Sequence, residues 1–354
     1  MTPRLNWTVG QDSNPRLERD AESSGSGSTT MDLQFQRATE NMSIQVAPHL
    51  RLQRFTDPDL GNNHDLSLTA GLSRQFERSR LDVGALFSDT STIITDLVET
   101  GLVRDNSHRR SAQADVSYNF MLAESRILFA QLSYSDVSYY GDNSSVFVGY
   151  RAPDVTVGEK FVLSERLSLS VSAFGSRLYS DARNGDSEQT GAQLGVSYAM
   201  SDVTHLDASL GSSRRTLSGD KSSGTVASAS LMRDLSRGRL SLSYSRNLVP
   251  NGYGVFMERQ ETIATGTLFI SEHLDADLTA RATRNRQTAF NFVFDRETYD
   301  DVAVGLHWRF SETWLLNAYM ATTQAQTRYS LEEVSQWRSG VGVTWSPIPR
   351  VRSR

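Results

Sequence analysis

The sequence has no cysteine in its 354 residues, which excludes disulfides, thiolate metal centres and cysteine nucleophiles and is compatible with an oxidising compartment. It also lacks long apolar runs. Hydrophobic residues make up 38% of the chain and the mean hydropathy is -0.42. No stretch approaches the roughly 18 consecutive apolar residues that a membrane helix needs. Lysine is scarce: arginine carries most of the positive charge, spread along a chain of net charge -5, so no basic patch suited to nucleic acid stands out. Low hydropathy does not exclude a membrane, because barrel strands turn only every second side chain to lipid. The hydrophobic period has to decide.

Catalytic signatures are missing as well. The six histidines, His49, His64, His108, His205, His273 and His307, show no His-Glu-x-x-His spacing, and no Gly-x-Ser-x-Gly elbow or phosphate-binding loop occurs. His64 and His108 fall in expected loops. His205 and His307 are expected in a lumen, where His307 is the better candidate for a barrel-hydrolase base but has no recognisable serine partner. The sequence therefore predicts no enzyme, no metal and no cofactor.

What is present is a loose repeat in which an alternating strand ends at a short polar turn and a second strand follows at once. Leu72-Ser-Arg-Gln-Phe-Glu-Arg-Ser-Arg-Leu-Asp-Val83 and Phe161-Val-Leu-Ser-Glu-Arg-Leu-Ser-Leu169 are examples. The turn markers Glu40, Glu77, Glu124, Glu165, Asp202, Arg237, Glu272 and Glu312 stand 35 to 47 residues apart. Two strands of about ten residues, a tight turn and a longer loop give that period. Eight turns join sixteen strands. One strand before them (5–10) and one after (337–345) bring the expected total to eighteen, an even number as single-chain bacterial barrels require.

Between the hairpins lie segments rich in Gly, Ser, Asn and Asp: residues 12–29, 57–65, 89–110, 136–153, 181–190, 212–224, 250–260, 285–300 and 323–336. They read as loops, each longer than any of the turns, so turns face the periplasm and loops face outwards. Within strands the alternation is strict: Leu167, Leu169, Val171 and Ala173 alternate with Ser168, Ser170 and Ser172. Aromatic residues near strand ends (Tyr118, Phe120, Tyr134, Tyr198, Tyr244, Trp308, Phe310, Trp314) suggest interfacial girdles. The expected fold is all-β: one transmembrane antiparallel up-and-down barrel of about 18 strands over residues 1–346, with a short tail at 347–354. The opening decapeptide already reads as a strand and contains no apolar leader, so an export signal is expected to be encoded upstream.

The Leu-Ser-Glu-Arg-Leu-Ser-Leu-Ser idiom at residues 163–170, its variants, and Asp12-Ser-Asn-Pro15 after the first strand resemble the porin-type outer-membrane β-barrels that accompany exopolysaccharide biosynthesis loci. That resemblance covers nearly the whole chain. It implies a bacterial outer-membrane location and a passive channel for polymer export, with outer-membrane lipid and periplasmic polysaccharide-export components as partners. The last strand also resembles the signal read by the barrel-assembly machinery, carried by Arg338, Gly340, Val343 and Trp345. The chain departs from the usual signal by continuing past Trp345 through Pro347 and Pro349.

Parity assigns Arg51, Asp82, Asp115, Lys160, Asp207, Arg239, Asp275, Asp277, Arg281 and Arg309 to the lumen. Their mixed signs on a hydroxyl-rich wall suit hydrated, weakly held solutes better than a strongly selective ion pore. Phe129, Phe174 and Tyr319 are inward candidates for stacking on sugars or packing a folded-in loop. The 136–153 loop, with Tyr139, Tyr140, Phe147 and Tyr150, is expected to fold inwards as a gate. A general or solute-specific diffusion porin and a plugged structural or adhesive barrel are the alternative functions.

Overall fold

The computed structural model describes residues 2–17, 22–92, 107–141, 147–181, 186–217, 220–252, 254–287, 297–326 and 333–347. Its strands are β1 Thr2–Asp12, β2 Ser24–Ala38, β3 Met42–Phe55, β4 Asn62–Gln75, β5 Ser79–Ser91, β6 His108–Ala123, β7 Arg126–Tyr140, β8 Tyr150–Val162, β9 Leu167–Ser180, β10 Ser187–Ser201, β11 Thr204–Leu217, β12 Asp220–Leu235, β13 Gly238–Pro250, β14 Phe256–Phe269, β15 Leu274–Gln287, β16 Glu297–Arg309, β17 Trp314–Gln326 and β18 Val334–Trp345.

Each strand pairs antiparallel with its sequence neighbours, and β18 pairs back onto β1 from Leu5↔Trp345 to Asp12↔Arg338. The sheet is therefore a closed cylinder with no free edge. Closure is what a hydrocarbon layer demands, because no water is there to satisfy a bare amide. Among the described residues no helix is long and apolar enough to cross a membrane.

Burial is inverted relative to a water-soluble protein. Leu194 and Leu210, register partners on β10 and β11, are 64% and 63% exposed. Val9, Leu132, Val157, Met320 and Val341 are similarly bare. These side chains form one outward stripe around the cylinder, while their sequence neighbours Gln193, Ser209, Gly342 and Thr8 point in. So much contiguous apolar surface is stable only against lipid. Tyr118, Phe120, Tyr198, Trp308, Phe310 and Trp314 collect near the short turns, whereas Tyr134 and Tyr244 stand in mid-strand. On the loop side Tyr179 and Trp337 face outwards.

All eight turn markers fall in the tight connections between paired strands, for example Glu77 between β4 and β5 and Glu272 between β14 and β15. The loops differ from expectation. Strands of 11 to 16 residues exceed the roughly 9 to 11 needed to cross a bilayer at a tilt, and the excess lies on the loop side. The stretch 212–224 is the clearest correction. It continues as β11 and β12, paired from Ser212↔Thr225 to Leu217↔Asp220, so this connection is no longer than a turn. Above the apolar band both faces meet water, so a Ser/Gly/Thr-rich segment keeps its backbone ladder without showing any alternation.

Candidate functional site

Eighteen strands enclose a lumen wide enough for water, and its wall is built from the side chains that alternate with the lipid-facing stripe. The ten residues expected inwards by parity stand on β3, β5, β6, β8, β11, β13, β15 and β16. Asp82 accepts three hydrogen bonds from Nε and Nη2 of Arg80 at 2.9–3.0 Å, and Arg239 pairs with Asp234. Arg281 faces Glu261 at 3.5 Å. Asp115 abuts Gly84, Asp207 stands between Ser197 and Ser230, and Lys160 lies opposite Ser170. Arg309 stands at the end of β16 opposite Leu315. Arg51 borders a small recess with Gln53, Tyr319 and Arg338. Three of the ten, Asp82, Arg239 and Arg281, thus stand beside an opposite charge, and the wall carries both signs.

Asp275 and Asp277 lie beside His307, and Asp277 accepts a hydrogen bond from its Nε2. From His307 a side-chain chain runs round the barrel: Nδ1 lies 2.8 Å from Asn317 Oδ1, Asn317 Nδ2 donates to Thr344 Oγ1 at 2.8 Å, and Thr344 donates to Asn6 Oδ1 at 3.1 Å. This chain crosses from β15 to β1 and links the first and last strands from inside. His307 is therefore hydrogen-bonded on both ring nitrogens within the wall.

Three inward aromatic rings each lie across a glycine of the next strand. A Cβ on Gly158 would collide with the Phe129 ring, one on Gly191 with the Phe174 ring, and one on Gly340 with the Tyr319 ring. Missing side chains let the rings lie flat against the wall, the arrangement by which aromatics cover sheet glycines. Flat rings narrow the lumen little and present a face to it.

At the loop side the lumen is narrowed by chain folded into it. The β13–β14 connection is closed by Gly254 N–H donating to the Asn251 carbonyl at 3.0 Å, with Gly254 at φ 69°. Phe256 then inserts among Val137, Tyr150, Ala152 and Leu178 on the inner faces of β7 to β9. Arg215 Nη1 donates to the Phe256 carbonyl at 3.1 Å. The β7–β8 connection meets this segment directly: Val148 N–H donates to the Gly252 carbonyl at 2.7 Å. Two loops whose strands stand six positions apart in the barrel are thus joined backbone to backbone.

The expected gate at 136–153 is partly corrected by this geometry. Strand β7 runs on to Tyr140 and β8 begins at Tyr150. Tyr139 stacks on Phe147 with centroids 4.8 Å apart and Tyr150 packs inwards, whereas Tyr140 donates to Asp89 on the outer face at 2.7 Å. Residues 142–146 lie outside the described set. Sequence reading missed the β13–β14 partner, for which the run Pro250-Asn-Gly gave only a turn signal.

Under the joined loops lies a recess of about 290 Å³, lined by Ser133, Ser135, Asp154, Thr156, Phe174, Gln189, Gln193, Asn247 and Phe256 among others. It offers hydroxyls, amides, one carboxyl and an aromatic face. On the opposite side the β1–β2 connection also turns in: Leu17, at φ 51°, packs with Ala325 and Val334. Gln336 donates to Asp12 at 2.8 Å, and Arg338 to Asp301 at 3.1 Å.

The four residues of the expected assembly signal divide between faces. Arg338 and Gly340 are on the lumen wall; Val343 and Trp345 are on the lipid stripe, paired with Trp7 and Leu5 of β1. Pro347 closes the described chain, and Pro349 with the rest of the tail lies outside it. His64 and His108, expected in loops, stand instead on β4 and β6 beside Asp89.

No protein-family profile and no curated protein matches this sequence. Similarity appears at the level of structure. The outer-membrane protein OpdK of Pseudomonas aeruginosa superposes with a TM-score of 0.50 at 11% identity, covering 98% of this chain and 99% of that one. OpdO of the same organism gives 0.48 at 14% identity over 98% and 96%. OccAB3 of Acinetobacter baumannii gives 0.47 at 9% over 98% and 99%. The OpdK likeness is one of fold: a closed 18-stranded antiparallel barrel, with short turns at one end and mostly longer connections at the other. With its lipid-facing apolar belt, this is a membrane-spanning barrel.

Proposed function

We propose that this chain is a passive diffusion porin for small hydrated solutes, with Arg51, Asp82, Asp115, Lys160, Asp207, Arg239, Asp275, Asp277, Arg281 and Arg309 lining its path and no covalent chemistry of its own. The observation that carries the reading is the pair of loops joined at Val148 and Gly252 across one side of a polar lumen. A narrowing of this kind sets a size limit while leaving water throughout. Charges of both signs spread over the wall make weak, distributed contacts that let a solute enter and leave. Export of a long polymer, implied by the resemblance in sequence idiom, fits this path less well, because each sugar unit would have to pass the joined loops. Outer-membrane lipid and the barrel-assembly machinery, reading the β18 end through Arg338, Gly340, Val343 and Trp345, complete the proposed partners.

Liposome swelling tests the reading. Purified barrel in vesicles should admit monosaccharides and small ions of both signs, with rates that fall steeply as the sugar is lengthened. Equal passage of long oligosaccharides would favour export. Absence of both swelling and ion current would mean a plugged, structural barrel.

A further inference from the structure

On the outer wall, above the apolar stripe, three neighbouring strands bring together groups that the channel reading does not use. His64 on β4, Asp89 on β5 and His108 on β6 share one face, and one ligand atom from each lies within 4.8 Å of the other two. The His108 Nδ1 is 3.4 Å from Asp89 Oδ1, close to the edge of a tetrahedron around a cation with bonds of about 2.0 Å. That same Nδ1 is buried and has no hydrogen-bond partner, a state that costs free energy unless something else binds there.

The surroundings hold the carboxylate in place. Tyr140 donates to both Asp89 oxygens at 2.7 and 2.9 Å, and Arg110 Nη2 donates to Oδ2 at 3.0 Å. Oδ1 is left as the oxygen nearest His108. The His108 ring is fixed from both sides, by Tyr140 with centroids 5.2 Å apart and by His64 at 4.6 Å. Two imidazoles and a carboxylate form a borderline donor set of the kind that takes zinc, copper or nickel rather than calcium or magnesium. Hydrogen bonding to a ligating carboxylate is the usual outer support of such a centre.

We propose that His64, Asp89 and His108 form a binding site for a divalent transition-metal cation on the outer rim of the barrel, which ties β4, β5 and β6 together where they leave the membrane. The site is separate from the lumen, so occupancy should leave conductance unchanged and raise resistance to unfolding at the rim.

Zinc titration of the folded, detergent-solubilised protein, produced without a polyhistidine tag, should show one site per chain by calorimetry. His64→Ala and His108→Ala should each weaken binding about tenfold or more, and Tyr140→Phe should weaken it by a factor within the roughly 10 to 100 typical of outer-shell partners. His49→Ala, which removes a lumen histidine paired with Asp32 at 2.6 Å, should leave binding intact. Copper bound to the wild-type barrel should show splitting from two nitrogen ligands in its electron paramagnetic resonance spectrum. This last readout covers the case in which a variant fails to fold. Zinc affinity equal in the wild type and His64→Ala/His108→Ala proteins, or copper spectra without nitrogen coupling, would overturn the proposal.

Discussion

Phe256 is the side chain that anchors the narrowing, and its removal gives a direct test of the pore. It is 2% exposed and touches Val137, Tyr150, Ala152 and Leu178. Truncating a phenylalanine so buried costs about 3–5 kcal/mol. Because Phe256 is the first residue of β14, paired only with Pro250, the loss falls on the loop and not on the barrel ladder. What would still hold the loop in are the Val148–Gly252 and Arg215–Phe256 hydrogen bonds, worth about 1 kcal/mol each, and the packing of Val255 on Leu217. A loss of 3 kcal/mol shifts the balance between folded-in and released loop more than a hundredfold, since each ~1.4 kcal/mol is tenfold. Single-channel recordings of Phe256→Ala in planar bilayers should therefore show larger and noisier conductance, with a higher size limit in liposome swelling. Because the chain has no cysteine, a Val148→Cys/Gly252→Cys pair in the same background can form only one intramolecular disulfide, and oxidation should return the smaller conductance. An unchanged conductance and size limit in a correctly folded Phe256→Ala barrel would refute the idea that this loop sets the narrowing.

Three other outcomes follow from the wall itself. Leu194→Arg, on the lipid face, should destabilise the barrel by about 2–4 kcal/mol if it sits near the bilayer midplane, whereas Gln193→Arg, one residue away on the lumen face, should cost far less; reversible unfolding in lipid vesicles measures both, and equal costs would contradict the facing. Gly191→Ala should cost about 1–3 kcal/mol by driving the Phe174 ring off the wall and crowding the Ser212 carbonyl, and Gly191→Ala/Phe174→Ala should recover only the part due to the ring, read as the urea midpoint of the gel-mobility transition. Asn317→Ala cuts the chain between His307 and Thr344 and should lower stability by about 1–3 kcal/mol, with no change in single-channel conductance.

How much of this was legible in the sequence varies with height along the barrel. Inside the membrane the rule is strict, one face oily and the next wet, so Leu167 to Ala173 announce their facing and Glu165 marks the turn before them. The strand count and the turn positions follow from that rule. Beyond the membrane the rule lapses. Ser212 to Gly224 has the composition of a loop yet pairs to its end, because backbone hydrogen bonding needs no apolar partner once it is extended from an existing ladder. Contacts between distant loops leave no local trace at all: nothing near Val148 points to Gly252, and nothing in the spacing of His64, Asp89 and His108 resembles a ligand motif. Each residue stands on a different strand, and only the register of β4, β5 and β6 makes them neighbours.

That division bears on where the function resides. The strands overrun the bilayer by several residues on the loop side, so the parts that distinguish this barrel from any other closed sheet stand on a rigid extension of it. The loop segment around Asn251 is carried by β13 and β14, and the rim cluster by β4 to β6; neither depends on a free loop finding its conformation. A ladder continued into water contributes little to crossing the membrane, and each extra pair fixes backbone at an entropic cost of about 1–2 kcal/mol per residue. In β13, β14 and β4 to β6 that extra length carries a pair of loops pinned across the lumen on one side and a group of donor atoms pinned against the outer wall on the other, whereas β11 and β12, just as long, carry neither. Shortening β13 and β14 together by one pleat at the loop end should, on this argument, leave a folded barrel that conducts more freely, whereas the same cut in a hairpin that carries neither feature should leave the current unaltered.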